Sequence, residues 1–111
     1  MNEKIGELSV FLPAYNEEEN IAASIENVIE AASKNAEKWE LIIVDDGSAD
    51  NTYEIASRFS KPGGNIRVIR HNENLGYGAS LKTGLYESKY GWISFIDSDG
   101  QFDFGEISKF I

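Results

Sequence analysis

The chain has 111 residues, enough for one small domain with its own core, and its 41% hydrophobic and 26% charged content excludes an intrinsically disordered chain. The 10 Lys and Arg against 19 Asp and Glu give a formal net charge of -9, which excludes the basic stripe of a nucleic-acid binder and makes a phosphorylated ligand depend on a counter-charge such as a divalent cation. With no cysteine, disulfides, zinc–thiolate sites and iron–sulfur clusters are excluded as well.

Met1 to Glu7 is polar and charged, unlike a signal peptide, and no apolar run approaches the roughly 20 residues that span a bilayer. A cytoplasmic chain is expected, with any membrane attachment supplied by other sequence. Leu8, Val10, Phe11 and Leu12 form a short apolar run closed by Pro13. Ile21, Ile25, Val28, Ile29 and Ala32 then recur at helical spacing, so Glu17 to Ser33 reads as an amphipathic helix with Asn16 as its N-cap. Leu41 to Val44 is a continuous apolar run, the mark of a strand buried on both faces. Asp50 or Asn51 can cap a second helix whose inner face is Ile55, Ala56 and Phe59. Lys61 to Asn65 is a loop, and Ile66, Val68 and Ile69 make a third strand. Gly78 to Ser88 reads as a third helix despite Gly84 within it. Trp92, Ile93, Phe95 and Ile96 form a fourth strand, and Glu106 to Ile111 is expected to start another helix. The fold class is therefore α/β, in the order β-α-β-α-β-α-β, with a parallel sheet, right-handed crossovers and flanking helices.

The polar residues cluster after the strands. Pro13 to Glu17 follows the first, Asp45 to Asp50 the second, Asn72 to Gly78 the third and Asp97 to Gln101 the fourth. In a parallel sheet these loops emerge together at the carboxyl edge, where open α/β sheets bind ligands. Asp97, Asp99 and Gln101 place oxygen ligands at alternate positions, a donor set suited to Mg2+ or Mn2+. Alone, an Asp-x-Asp pair is equally the residue choice of a polar turn. Three companion loops at the same edge favour the ligand site. A carboxylate in Asp45-Asp46-Gly47-Ser48 can accept from a base N–H or a ribose hydroxyl, or can serve only to end a strand and cap a helix. Asn74, Gly76 and Gly78 allow the backbone close to a phosphate, and Lys82, about one turn into the third helix, can reach a diphosphate or stand as a solvated lysine. His71 reads as structural, and Trp39 and Trp92 as core or rim.

Four segments in this order resemble family 2 glycosyltransferases of the GT-A fold: Val10 to Glu17, Ile43 to Thr52, Asn74 to Gly78 and Asp97 to Asp103. The ending Asp99-Gly100-Gln101-Phe102-Asp103 is most similar to the branch of dolichyl-phosphate mannose synthases and polyprenyl-phosphate glycosyltransferases. The resemblance implies a Rossmann-like half of a GT-A fold over residues 1–111, truncated after the Asp-x-Asp motif, since such domains run to about twice this length. It implies that Pro13, Ala14, Tyr15 and Glu17 line the nucleotide pocket and that Asp46, with Val44 nearby, contacts base or ribose. It implies further that Asp97, Asp99 and Gln101 hold the metal on the diphosphate of a UDP- or GDP-linked sugar, Asp97 and Asp99 being the catalytic pair. The acceptor implied is a polyprenyl phosphate, reached by a full-length protein at the cytoplasmic face of a membrane. Phe104 departs from the Pro common among relatives.

Two other proteins of similar layout, one an enzyme and one a phosphoacceptor domain, fit less well. A sugar nucleotidyltransferase wants a basic Gly-rich loop where Pro13 to Glu17 stands, and a receiver domain wants an aspartate where the third strand ends in Arg70-His71-Asn72. The alternative from another class is a non-catalytic nucleotide-binding fragment that self-associates through exposed edges.

Overall fold

The computed structural model describes residues 5–95 and 108–109. Its elements are β1 (Ile5–Ala14), α1 (Ile21–Asn35), β2 (Ala36–Asp45), α2 (Thr52–Ser57), β3 (Ile66–Arg70), α3 (Tyr77–Glu87), β4 (Trp92–Phe95) and β5 (Ser108–Lys109). They build one sheet in the order β3-β2-β1-β4-β5. The first four strands are parallel, and β5 pairs antiparallel with β4. The chain therefore steps outward from β1 to β3, then returns across the sheet to place β4 on the other side of β1. That return puts α3 on the opposite face from α1 and α2.

Period-two alternation divides the apolar residues between the two faces. Leu8, Val10, Leu12 and Ala14 of β1, with Leu41 and Ile43 of β2, meet Ile21, Ile25 and Val28 of α1 and Ala56 of α2. Phe11, Ile42, Val44 and Ile93 face the other way, toward Leu81 of α3 and Ile69. Ile42, Ile43 and Val44 are all 0% exposed, so the continuous run in the second strand is buried on both faces, as its sequence predicts. Gly84 also has a reason to interrupt α3. A Cβ there would lie 2.2 Å from Cδ2 of Phe11, so glycine lets the helix rest on the ring.

β1 runs from Ile5 through Pro13 to Ala14, beyond the apolar run that Pro13 is expected to close, because its backbone stays paired with β2 along that length. Three further differences from the sequence expectation have a local cause. The first helix begins at Ile21, not Glu17, and Asn16 is no N-cap: its backbone is left-handed at φ 52. The amides of Asn16, Glu17 and Glu18 are claimed by Ser48, Thr52 and Asp50 of the next loop, which holds this stretch out of the helix. The second strand begins at Ala36, because Ala36 to Glu40 pairs along the start of β1. The helix expected over Glu106 to Ile111 is corrected by β5, in which Ser108 and Lys109 pair with Ile93 and Trp92. So short a segment has little helical preference of its own, and the edge of β4 offers Ser108 and Lys109 backbone partners. No helix among the described residues is long and apolar enough to cross a membrane.

Candidate functional site

The register Ala14↔Asp45 and Asp45↔Arg70 ends β1, β2 and β3 at a common edge. A cleft of about 390 Å3 opens there, lined by Pro13, Ala14, Tyr15, Glu17, Asp46, Asn74, Gly76, Tyr77 and Ser80. Tyr15 and Tyr77 stand half-exposed at its rim, Pro13 and Ala14 give it an apolar wall, and Glu17 and Asp46 bring carboxylates. Among the described residues, no Lys or Arg lines it.

Asp46 organises one side of the cleft. It is 4% exposed. Its Oδ1 accepts from His71 Nδ1 at 2.7 Å and from Leu75 N at 2.9 Å, and its Oδ2 accepts from Gly76 N at 2.9 Å. A carboxylate only accepts, so Nδ1 of His71 carries the hydrogen. Nε2 of that ring meets Thr83 Oγ1 of α3 at 2.8 Å. One carboxylate thus ties β2 to the β3–α3 loop and, through His71, to α3. Burial pushes the Asp46 carboxyl up, but the hydrogen bonds from His71, Leu75 and Gly76 outweigh it and hold the group below the usual carboxylate value. With three of about four lone-pair sites used, Oδ2 keeps one for a ligand.

The neighbouring residues lace the first two loops together. Ser48 Oγ donates to the fully buried Asp45 and accepts Asn16 N at 2.9 Å. Arg70 Nε stands 3.4 Å from the other Asp45 oxygen while its guanidinium lies over the Tyr53 ring. Ala49 N donates to Asn16 Oδ1 at 2.9 Å, and Glu17 N to Thr52 Oγ1 at 2.8 Å. Asp50 accepts Glu18 N and Thr52 N. Burial raises its carboxyl, and the bonds from Thr52 and Glu18 more than reverse that, leaving it below the usual value. Gly47 completes the turn at φ +73, where a Cβ would come within 2.5 Å of the Glu73 carbonyl carbon. That position needs glycine for its conformation and for the close approach of the β3–α3 loop.

The cleft brings together Pro13, Ala14, Tyr15, Glu17, Asp46, Asn74 and Gly76 of the residues expected from sequence. Val44 is fully buried in the core beside α3 and supports the cleft without lining it. Lys82 is exposed on α3 and does not line the cleft. It lies two residues beyond Ser80, roughly 200° around the helix. Asp97, Asp99, Gln101 and Phe104 lie outside the described residues. Sequence reasoning missed Tyr77 and Ser80 as lining residues. Their spacing with Gly84, at i, i+3 and i+7, is the signal that marks them as one face of the helix. It also gave His71 no named partner, although its position at the strand end faces the loop it binds.

Away from the cleft, Glu40 accepts Ser9 Oγ at 2.6 Å and Lys89 N at 2.8 Å, and Tyr90 N donates to Ser9 Oγ at 3.0 Å. Arg67 bonds Glu87 at 2.8 Å on the same side. The buried Glu40–Ser9 pair, with the more exposed Arg67–Glu87 bond beside it, fixes the entry to β4.

Residues 9–111 match the family model described as glycosyl transferase family 2. A dolichyl-phosphate beta-glucosyltransferase of Dictyostelium discoideum is 30% identical over 109 residues, which cover 92% of this chain and 33% of that protein. The chain thus spans about one third of the length of the curated relatives it matches. Among solved structures, S. aureus TarS in complex with UDP-GlcNAc superposes with a TM-score of 0.68 at 26% identity, covering 84% of this chain and 26% of that one. A mannosyltransferase of Pyrobaculum calidifontis, in complex with GDP-Man and Mn2+, shares the fold with a TM-score of 0.70 at 24% identity, over 83% of this chain and 27% of the other.

Proposed function

Because the chain belongs to glycosyl transferase family 2, we propose that its cleft holds the nucleoside end of a UDP- or GDP-linked sugar, as the donor site of a protein that glycosylates a polyprenyl phosphate. The observation that carries this reading is the lining of the cleft at the carboxyl edge by Pro13, Ala14, Tyr15, Glu17, Asp46, Asn74 and Gly76. The dolichyl-phosphate beta-glucosyltransferase likeness supports the lipid-phosphate acceptor, and the UDP-GlcNAc complex of TarS supports a nucleotide-sugar donor.

In this reading the base rests against Tyr15 and the Pro13–Ala14 wall, and the free lone pair of Asp46 takes a base N–H or ribose hydroxyl. Asp97, Asp99 and Gln101 offer oxygens at alternate positions, a set that fits Mg2+ or Mn2+. Such an ion supplies positive charge against the leaving diphosphate. An acceptor phosphate oxygen attacks the anomeric carbon from the face opposite the diphosphate. The new carbon–oxygen bond forms as the old one breaks, with inversion. The acceptor is already an anion and needs no general base. Such a protein acts where its lipid substrate lies, at the cytoplasmic face of a membrane.

Calorimetric titration of the 111-residue chain with UDP and GDP, each with and without Mn2+, tests this. The expected result is metal-dependent binding of one nucleotide. A folded chain that takes neither with Mn2+ present sinks the reading. Self-association through the outer edge of β3 belongs to the same proposal. Light scattering that finds only monomer at high concentration would remove it.

A further inference from the structure

Ser80 stands in the first turn of α3 and forms part of the cleft wall. It is 1% exposed, and its Oγ has no hydrogen-bond partner among the described residues. A helical serine commonly returns its hydroxyl to the carbonyl four residues earlier, and even Ser88, which caps the end of α3, does so to Gly84 at 2.7 Å. At Ser80 the equivalent carbonyl, that of Gly76, receives the Ser80 backbone N–H at 3.1 Å and no hydroxyl. A buried hydroxyl without a partner weakens the fold, and because Ser80 lines the cleft, a rotation about its χ1 can turn the hydroxyl to a ligand held there.

We infer that Ser80 Oγ is a ligand contact, hydrogen-bonding the base or ribose of the bound nucleotide. This rests on the cleft's being the nucleotide subsite. Among the described residues the lining brings the acids Glu17 and Asp46 with no Lys or Arg to balance them, which favours the nucleoside over the phosphates. Base edges and ribose hydroxyls offer neutral donors and acceptors, and a serine hydroxyl answers either.

The test uses Ser80→Ala, which removes the hydroxyl and keeps α3 intact because alanine is the best helix former. Wild type and variant are titrated with UDP and GDP in Mn2+, and both are melted without nucleotide. Nucleotide binding should weaken roughly 3- to 10-fold. The nucleotide-free melting temperature should stay level or rise, because an unsatisfied group has gone. A fall in that temperature overturns the inference whatever happens to binding, since the hydroxyl then has a partner within the fold. Equal affinities also overturn it and leave the cleft reading standing. A wild type that binds neither nucleotide overturns both.

Discussion

Replacing Asp46 with Asn tests whether one carboxylate holds the cleft in shape. The amide keeps one acceptor and turns the other oxygen into a donor. With its oxygen toward His71 and Leu75, the NH2 group faces the Gly76 N–H. Turned the other way, it faces two donors. The cheaper orientation still loses one hydrogen bond to a charged acceptor, removes the charge from two others and leaves a donor unpaired. Together these amount to about 2–4 kcal/mol. For a chain of this length that is a fall of roughly 10–20 °C in Tm. Thermal and urea unfolding followed by circular dichroism measure it. A loss under about 0.5 kcal/mol with an unchanged m-value would refute the reasoning. The charge adds a second signature. The folded Asp46 carboxyl titrates below its unfolded value of about 3.9. Its contribution is complete above that value and disappears as pH falls through the folded one. The stability gap between wild type and Asp46→Asn should therefore stay constant near neutrality and close below about pH 4.

Gly47→Ala sets a Cβ 2.5 Å from the Glu73 carbonyl carbon at φ +73, and should cost about 2–4 kcal/mol in urea unfolding. It should also weaken nucleotide binding, because the displaced backbone carries Asn74; a variant as stable as wild type refutes this. Gly84→Ala drives a Cβ into the Phe11 ring, so overpacking of about 1–3 kcal/mol outweighs a helix-propensity gain of about 1 kcal/mol. Phe11→Leu in the same chain should recover part of the loss, and stabilisation by Gly84→Ala alone would contradict the packing. Glu40→Ala strips the partner from Ser9 Oγ and Lys89 N, and should cost about 2–4 kcal/mol while nucleotide affinity of the folded chain holds.

The strands and the edge that carries the cleft were legible because they depend on local periodicity. Leu41 to Val44 reads as doubly buried from its composition, and it is. The polar loops follow from where such strands stop. Less legible was the division of labour within those loops. Asp45, Asp46, Ser48 and Asp50 look from sequence like a ligand-facing cluster. Most of their capacity is spent on backbone amides and side chains far along the chain, such as Asn16, Leu75 and Gly76. Hydrogen bonds of that range leave no periodic trace. The same long-range bonds delay α1 to Ile21, because amides that Ser48, Thr52 and Asp50 hold cannot enter a helix. Ser108 and Lys109 were misread for a similar reason: a strand at a sheet edge is decided by the partner it finds.

If the cleft is the proposed nucleotide subsite, its charge calls for a counter-cation on the phosphates, and this can be tested without knowing the sugar. The chain carries a net charge of -9, and among the described residues its cleft presents Glu17 and Asp46 with no basic residue. A phosphate charge about 8 Å from one carboxylate meets a repulsion of roughly 2 kcal/mol at an effective dielectric of about 20. A nucleoside meets none. Uridine or guanosine should therefore bind weakly but with little dependence on Mn2+ or salt, whereas the matching diphosphate should need Mn2+. Glu17→Gln removes one repulsive partner at the half-exposed rim, where solvent and salt screen the repulsion to about 1 kcal/mol, and should strengthen metal-free diphosphate binding by about 5-fold, leaving the nucleoside affinity nearly unchanged. Diphosphate binding that is equally tight with and without Mn2+ would mean that the acidic lining does not oppose the phosphates. The need for a counter-charge, inferred from composition, would then fall.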